Sequence, residues 1–186
     1  PYLKKEYGNP SSIHAFGQAA RAAVERSREQ VAQFLHAAPL EIFFTSGATE
    51  ANNLAIKGLQ QSLGKIHVVT SPIEHESVLS VLEELEQEKK ITVTCLPVSK
   101  EGVVHVDDVQ KAITKNTQLV SVMAANSEIG SIQPIREIGK MIEGLNEKRR
   151  DRIYFHSDAV QAAQFLSCNV EKLRVDLLTL SSHKVY

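Results

Sequence analysis

The sequence predicts an α/β fold in which a mostly parallel sheet is flanked by helices. Strand-like and helix-like segments alternate along almost the whole chain, which is the order that parallel strands with helical crossovers require. The strand-like segments are nearly unbroken apolar runs, as in residues 119–124, and such runs are typical of strands buried on both faces. With 186 residues, 42% of them hydrophobic, the chain can bury one core, so we expect a single domain over residues 1–186.

The first elements follow from spacing and turn residues. After a polar, turn-rich opening, apolar residues recur at helical spacing over residues 17–36, which predicts an amphipathic helix. The run 42–44 favours a strand, and the glycine turn after it leads into a helix over residues 48–59. A strand over residues 67–70 and a helix over residues 77–89 come next.

The second half of the chain continues the same alternation. The predicted strands are residues 91–98, 119–124, 153–155 and 176–180. The predicted helices between them are residues 106–113, 135–146 and 170–173. The last strand leads directly to Lys184.

Charge and composition exclude several classes of protein. The chain carries 21 Lys plus Arg against 22 Asp plus Glu, a net charge of −1, so no basic surplus attracts nucleic acid or an anionic membrane. No apolar run reaches membrane-spanning length. Two cysteines are too few for a disulfide framework or a zinc cluster, which predicts a reducing location, cytoplasmic or in an organelle matrix. We expect Cys95 to be a buried thiol in a strand and Cys168 to lie in a surface turn.

Polar residues follow several of the predicted strands, and ligands of open α/β sheets bind beyond the carboxyl ends of the strands. The first such feature is the turn 45–50, where free amide groups at the start of a helix could hold a phosphate. The alternative is an ordinary helix cap, in which Ser46 or Thr49 satisfies the amides. The turn matches neither a dinucleotide fingerprint nor a phosphate loop, which disfavours nucleotide binding.

Three further features allow a structural or a functional interpretation. His75 lies between a strand end and a helix start, where it can cap the helix or face water, or can stack on an aromatic cofactor ring or move a proton. Asn126 and Ser127 form a polar turn after the most apolar strand, and turn chemistry explains them without a ligand. His156 and Asp158 lack an evident third ligand, so we predict no metal site.

The last two strands lead to the residues with the clearest chemistry. Asp158 follows a buried strand, where a carboxylate needs a cationic or hydrogen-bonding partner; a protonated pyridine nitrogen would serve, and a helix cap is the alternative. Gln161 is placed to donate to a phenolate oxygen. The hydroxyls of residues 181–182 can share a phosphate with the turn 45–50, and Lys184 can form an imine with an aldehyde.

An anion site, a ring-stacking imidazole, an acid for a pyridine nitrogen and an imine-forming lysine, in this order, describe a site for pyridoxal phosphate. The chain resembles the large domain of cysteine desulfurases and selenocysteine lyases, in the class V aminotransferase-like group of fold type I pyridoxal phosphate enzymes. The stretches that carry this resemblance are residues 8–14, 44–53, 74–79, 128–134, 156–161 and 181–186.

The resemblance implies a role for each matching residue. Lys184 would hold the cofactor as a Schiff base and shuttle protons, and His75, the second catalytic residue, would stack on the ring. Asp158 would keep the pyridine nitrogen protonated, and Gln161 would hydrogen-bond the ring oxygen. The other implied cofactor-binding residues are Ala48, Thr49, Ser181 and His183 at the phosphate, and Asn126 with Ser127.

The implied reaction is that of a cysteine desulfurase, which removes sulfur from L-cysteine to give L-alanine and an enzyme persulfide for iron-sulfur cluster assembly or other sulfur transfer. A selenocysteine lyase, a class V aminotransferase and a non-catalytic binding or scaffold module are the alternatives. By resemblance the chain is a partial large domain, truncated at both ends, without the small C-terminal domain and the persulfide-forming cysteine, and inactive alone. Ser127 stands where the family commonly has asparagine. The implied partners are L-cysteine or selenocysteine, a second copy in a homodimer, and a sulfur-acceptor or scaffold protein.

Overall fold

The computed structural model describes residues 2, 4 and 7–185, in two compact units that divide after Phe44. The first unit contains helix α1 (Ala15–Leu35) and a short 3-10 helix (Pro39–Glu41). His14 caps the start of α1 by accepting a hydrogen bond from the amide of Gly17. The helix ends at His36, which adopts a left-handed backbone conformation with a φ of 57°.

The strand predicted at residues 42–44 does not form, because local contacts within the first unit hold this segment instead. The guanidinium of Arg28 donates to the carbonyl of Ile42 and lies 5.0 Å from the centre of the Phe44 ring. Phe43 is 75% exposed. Ile42 has an extended backbone, but the β-favouring composition of this segment was a wrong indicator of strand pairing.

The second unit contains a five-stranded parallel sheet, which confirms the predicted fold class. The strand order is β2-β1-β3-β4-β5. The strands are β1 (Ile66–Thr70), β2 (Ile91–Cys95), β3 (Thr117–Ser121), β4 (Tyr154–Asp158) and β5 (Leu177–Thr179). The helices are α2 (Ala48–Leu63), α3 (Glu76–Gln87), α4 (Val106–Ala112), α5 (Ile135–Asn146) and α6 (Val170–Leu173). A second 3-10 helix (Ser182–Lys184) follows β5.

The core explains why the strands read as apolar runs. All five residues of β1 are buried, and the strand lies between β2 and β3 in the interior of the sheet. One core cluster joins the sheet to α2 and α3, and its buried members are Ile56, Ile66, Val68, Val78, Val81, Leu82, Leu85, Ile91 and Leu119. Among the described residues, no helix is long and apolar enough to cross a membrane.

The register of the sheet positions the polar residues. Thr70 pairs with Ser121, and Asp158 pairs with Thr179, each close to the carboxyl end of its strand. Since the strands are parallel, these ends meet at one edge of the sheet, where the loops carrying the predicted site residues begin.

Candidate cofactor site

A chain of hydrogen bonds joins four side chains at the carboxyl edge of the sheet. Asn52 donates from its Nδ2 atom to Oδ2 of Asp158, at 2.8 Å, and to Oγ of Ser77, at 2.9 Å. Oγ of Ser77 lies 2.8 Å from Nδ1 of His75. Two predicted site residues that are 83 positions apart in the numbering are thus connected through α2 and the start of α3.

Asp158 is a buried carboxylate whose partners are neutral. It is the last residue of β4, is 5% exposed, and accepts from Asn52 and from the amide of Val160, 3.0 Å away. Among the residues that the structure describes, no lysine or arginine forms an ion pair with it. A buried negative charge without a countercharge is costly, so this position suits a cationic ligand atom such as a protonated pyridine nitrogen.

Asn52 is one of the two residues of this network, with Ser77, that the sequence interpretation missed. It is fully buried, and α2 buries it on the same face as Ile56 and Gln60, at a spacing of four residues. A polar residue on the apolar stripe of a helix is the signal that could have identified it, because such a side chain needs internal partners. Its Oδ1 atom is buried without a hydrogen-bond partner in the described part of the chain.

Glu74 is a second buried carboxyl at this edge. Its Oε1 atom accepts from the hydroxyl of Ser71 and from the amide of Met123, while Oε2 has no partner among the described residues. Burial, with a smaller contribution from the charge of Asp158, raises the pKa of Glu74 to about 8, against the lowering effect of the hydrogen bonds from Ser71 and Met123. Glu74 is therefore a neutral acid at pH 7, and it ties the loop after β1 to the segment after β3.

His156 lies inside the sheet region and is fully buried. Its Nδ1 atom is 2.9 Å from Oγ of Ser121, and its Nε2 atom is 3.2 Å from Oγ1 of Thr179. Burial lowers the pKa of His156 below its ordinary value, although Asp158 acts in the opposite direction. A neutral imidazole that bridges β3 and β5 in this way is a structural residue.

The first turn of α2 presents free amide groups. Gly47 is the N-cap residue and has no side chain that could accept from the helix amides. Glu50 instead accepts from the amide of Ser46, and this hydrogen bond lowers its pKa. Ala48 is half-buried and Thr49 is exposed, so the amides at the positive end of a 16-residue helix are available to an anion.

The segment after β5 carries the predicted lysine. Ser181 is buried, and its Oγ atom lies 2.8 Å from Nδ1 of His183. Lys184 ends the 3-10 helix, is exposed, and is anchored by its amide, which donates to the carbonyl of Ser181 at 3.2 Å. The lysine side chain is therefore accessible to a ligand at the carboxyl edge.

The turn after β3 is shaped by Asn126. Its Oδ1 atom accepts from the amides of Glu128 and Ile129, and its Nδ2 atom donates to the carbonyl of Ile73. Asn126 thus acts on the backbone, as turn chemistry predicts. Ser127 beside it is exposed, and Gln161, in the turn after β4, is half-buried.

Two cavities lie in the second unit, and they differ in their relation to these residues. A cavity of about 330 Å³ is lined by Thr49, His75 and Ser77 together with Glu76 and Glu84, whose carboxylates make it unfavourable for a phosphate. The other, of about 160 Å³, contains none of the predicted site residues in its lining.

The cysteine predictions were wrong about burial. Cys95 lies in a strand, as predicted, but it is exposed, because it ends β2 at the edge of the sheet. Cys168 lies in the loop after β4, but its side chain is buried at the wall of the smaller cavity. Desolvation raises the pKa of both thiols. Within the described residues, no group of three metal-binding side chains is assembled.

Comparison with known proteins identifies relatives across the whole chain. The sequence profile of the aminotransferase class-V family matches residues 1–186. Cysteine desulfurase IscS of Dictyoglomus turgidum is 48% identical over 100% of the chain, and the mitochondrial cysteine desulfurase of Candida albicans is 46% identical over 97% of it. The chain spans 46% and 36% of the length of these two relatives.

Solved structures give the same relationship. The structure described as SspA in complex with cysteine superposes with a TM-score of 0.92, at 39% identity, over 100% of this chain and 52% of that one. A NifS-like protein superposes with a TM-score of 0.91, at 37% identity, over 98% of this chain and 49% of that one. The chain belongs to the aminotransferase class-V family, whose members depend on pyridoxal phosphate.

Proposed function

We propose that this chain is the cofactor-binding part of a cysteine desulfurase, which removes sulfur from L-cysteine and releases L-alanine. The observation that carries the proposal is the Asp158 carboxylate, buried at the carboxyl edge of the sheet with neutral hydrogen-bond partners. The whole-chain identity of 48% to a cysteine desulfurase supports the choice of reaction.

The residues at this edge fit pyridoxal 5'-phosphate. The free amides of Ala48 and Thr49 at the start of α2 suit its phosphate, and Ser181 with His183 would complete that contact. Asp158 suits its pyridine nitrogen. The other contacts we propose are Gln161 at the ring oxygen, His75 on the ring face, Asn126 and Ser127 beside the cofactor, and Lys184 at the aldehyde carbon.

When bound, the cofactor supplies an aldehyde that bonds to amines and a ring that withdraws electrons from the substrate carbons. The carboxylate of Asp158 would keep a proton on the ring nitrogen, which strengthens this withdrawal. Lys184 would hold the aldehyde carbon through Nζ, and its free amine would accept and return protons as general base and acid. His75 is the second group at this edge that can hold or move a proton.

The partners we propose follow from the same assignment. They are L-cysteine, a second copy of the chain in a homodimer, and a protein that accepts sulfur for iron-sulfur cluster assembly or another transfer pathway. The expected location is the cytoplasm or, in a eukaryote, an organelle matrix, and relatives named as mitochondrial agree with the latter. Selenocysteine cleavage, transamination and a non-catalytic role remain the competing functions.

The test is cofactor capture followed by substrate turnover in the full-length protein. Pyridoxal phosphate should produce the absorbance band of a lysine-bound cofactor. L-cysteine should then yield alanine, and an added thiol reductant should release the transferred sulfur as sulfide. Lys184→Ala should abolish the band, whereas Lys172→Ala, which changes an exposed lysine on α6, should leave it intact. A folded wild-type protein without this absorbance band would refute the proposal. Equal or faster turnover of selenocysteine or of an amino donor would show that desulfuration of cysteine is not the preferred reaction.

A further inference from the structure

The orientation of Asn52 is determined by Asp158. A carboxylate oxygen accepts hydrogen bonds and does not donate them, so the atom of Asn52 that lies 2.8 Å from Oδ2 of Asp158 must be the Nδ2 amide. The second hydrogen of the same amide points to Oγ of Ser77, at 2.9 Å. The Ser77 hydroxyl oxygen therefore acts as an acceptor toward Asn52.

The direction of the next hydrogen bond follows. Since Asn52 occupies one acceptor position of the Ser77 oxygen, the hydroxyl proton of Ser77 is available to donate to Nδ1 of His75, 2.8 Å away. The backbone amide of Ser77 donates to the same nitrogen, at 3.1 Å. Nδ1 of His75 thus receives two donors and carries no proton of its own.

We infer that Asn52 and Ser77 are positioning residues, which connect the Asp158 carboxylate to His75 and hold the neutral imidazole with its proton on Nε2. Three directed hydrogen bonds carry this assignment, and three of the four residues, Asn52, Ser77 and Asp158, are buried, which protects their bonds from competition with water. His75 itself is exposed, so its Nε2–H group is accessible.

The catalytic role of this hydrogen-bond network rests on the proposed function. In this tautomer the accessible nitrogen of His75 is a hydrogen-bond donor toward a ligand, and it cannot accept a proton there. His75 would therefore stabilise negative charge at that position by donating a hydrogen bond from Nε2, which leaves Lys184 to move protons. The Asp158 charge, proposed to hold the ring nitrogen, would at the same time set the tautomer of His75.

The test is nitrogen NMR of the full-length protein with ¹⁵N-labelled histidine, in the absence of cofactor, with His75→Gln to assign the resonances. We expect an unprotonated Nδ1 and a protonated Nε2. Ser77→Ala removes one of the two donors to Nδ1, and one such bond is worth roughly a 3- to 10-fold change in the ratio of the two tautomers. Asn52→Ala should move the ratio in the same direction.

Ser80→Ala is the matched control, because Ser80 lies one turn further along α3 and is exposed. It should leave the His75 resonances unchanged. A wild-type His75 protonated on Nδ1, or an unchanged tautomer ratio in folded Ser77→Ala protein, would overturn the inference. Because these spectra need no cofactor, a failure of pyridoxal phosphate binding would refute the proposed function separately.

Discussion

Glu74→Gln should make the stability of the protein less dependent on pH between about 5 and 8. Burial raises the pKa of this carboxyl from 4.5 to about 8, so the folded protein keeps a proton that the unfolded chain loses above pH 4.5. The stabilisation is fully present below pH 4.5 and is lost as the pH rises through the folded value. At about 1.4 kcal/mol per pH unit, the loss between pH 5 and 8 is about 4 kcal/mol as an upper limit.

The assay is denaturant unfolding of wild-type and Glu74→Gln protein without cofactor at several pH values between 5 and 8. Glutamine keeps a carbonyl oxygen for the Ser71 hydroxyl and the Met123 amide, so it imitates the neutral acid without titrating. The variant should lose less stability than the wild type as the pH rises, because other titrating groups are the same in both proteins. Glu76→Gln, at an exposed neighbouring position, should follow the wild type.

Parallel pH curves for the wild type and Glu74→Gln would refute the reasoning, since they would show that Glu74 ionises in the folded state as it does in the unfolded chain. A variant that is less stable at pH 5 but parallel would refute it equally. In that case the carboxyl would contribute through its hydrogen bonds alone.

Three further outcomes are expected. Asp158→Ala should weaken pyridoxal phosphate binding about 10- to 100-fold in an absorbance titration, because it removes a charged hydrogen-bond acceptor; unchanged affinity would exclude Asp158 from the site. Ile56→Ala should destabilise the fold by about 2–5 kcal/mol in denaturant unfolding, since Ile56 is buried in the core cluster. A thiol reagent should modify exposed Cys95 before buried Cys168, measured by mass spectrometry; the reverse order would contradict the burial pattern.

The sheet was predictable because its inner strands, β1, β3 and β4, are almost wholly buried. A buried strand gives an unbroken apolar run in the sequence, whatever its position in the chain. Each of the five parallel strands overlaps a predicted strand. The predicted strand ends were less accurate, because a chain can remain extended and buried beyond the last residue that pairs with a neighbouring strand. Leu96, for example, follows β2, is buried, and still donates to the carbonyl of Thr70. Residues 42–44 had the composition of a strand, but pairing depends on neighbours that composition does not reveal.

The predicted site residues come from motifs. Motifs identify the side chains proposed to contact a ligand, but they rarely identify the buried side chains that hold those groups in position. Asn52 was missed because its only signal was a polar residue on the buried stripe of α2. Glu74 was missed because it precedes His75 in a loop, where no periodicity indicates burial. Both act through contacts 49 or more positions distant in sequence, with Met123 for Glu74 and Asp158 for Asn52.

The two buried carboxyls at this edge differ in the placement of their hydrogen-bond donors. Asp158 receives one N–H donor on each oxygen, from Asn52 and Val160. Glu74 receives both donors on Oε1 and, among the described residues, none on Oε2. Burial is the largest cause of the raised pKa of Glu74, and the negative charge of Asp158 adds to it, because like charges at close range disfavour one another. Glu74 therefore suits the role of a neutral acid that holds the His75 loop in place, beside the carboxylate proposed for the cofactor ring.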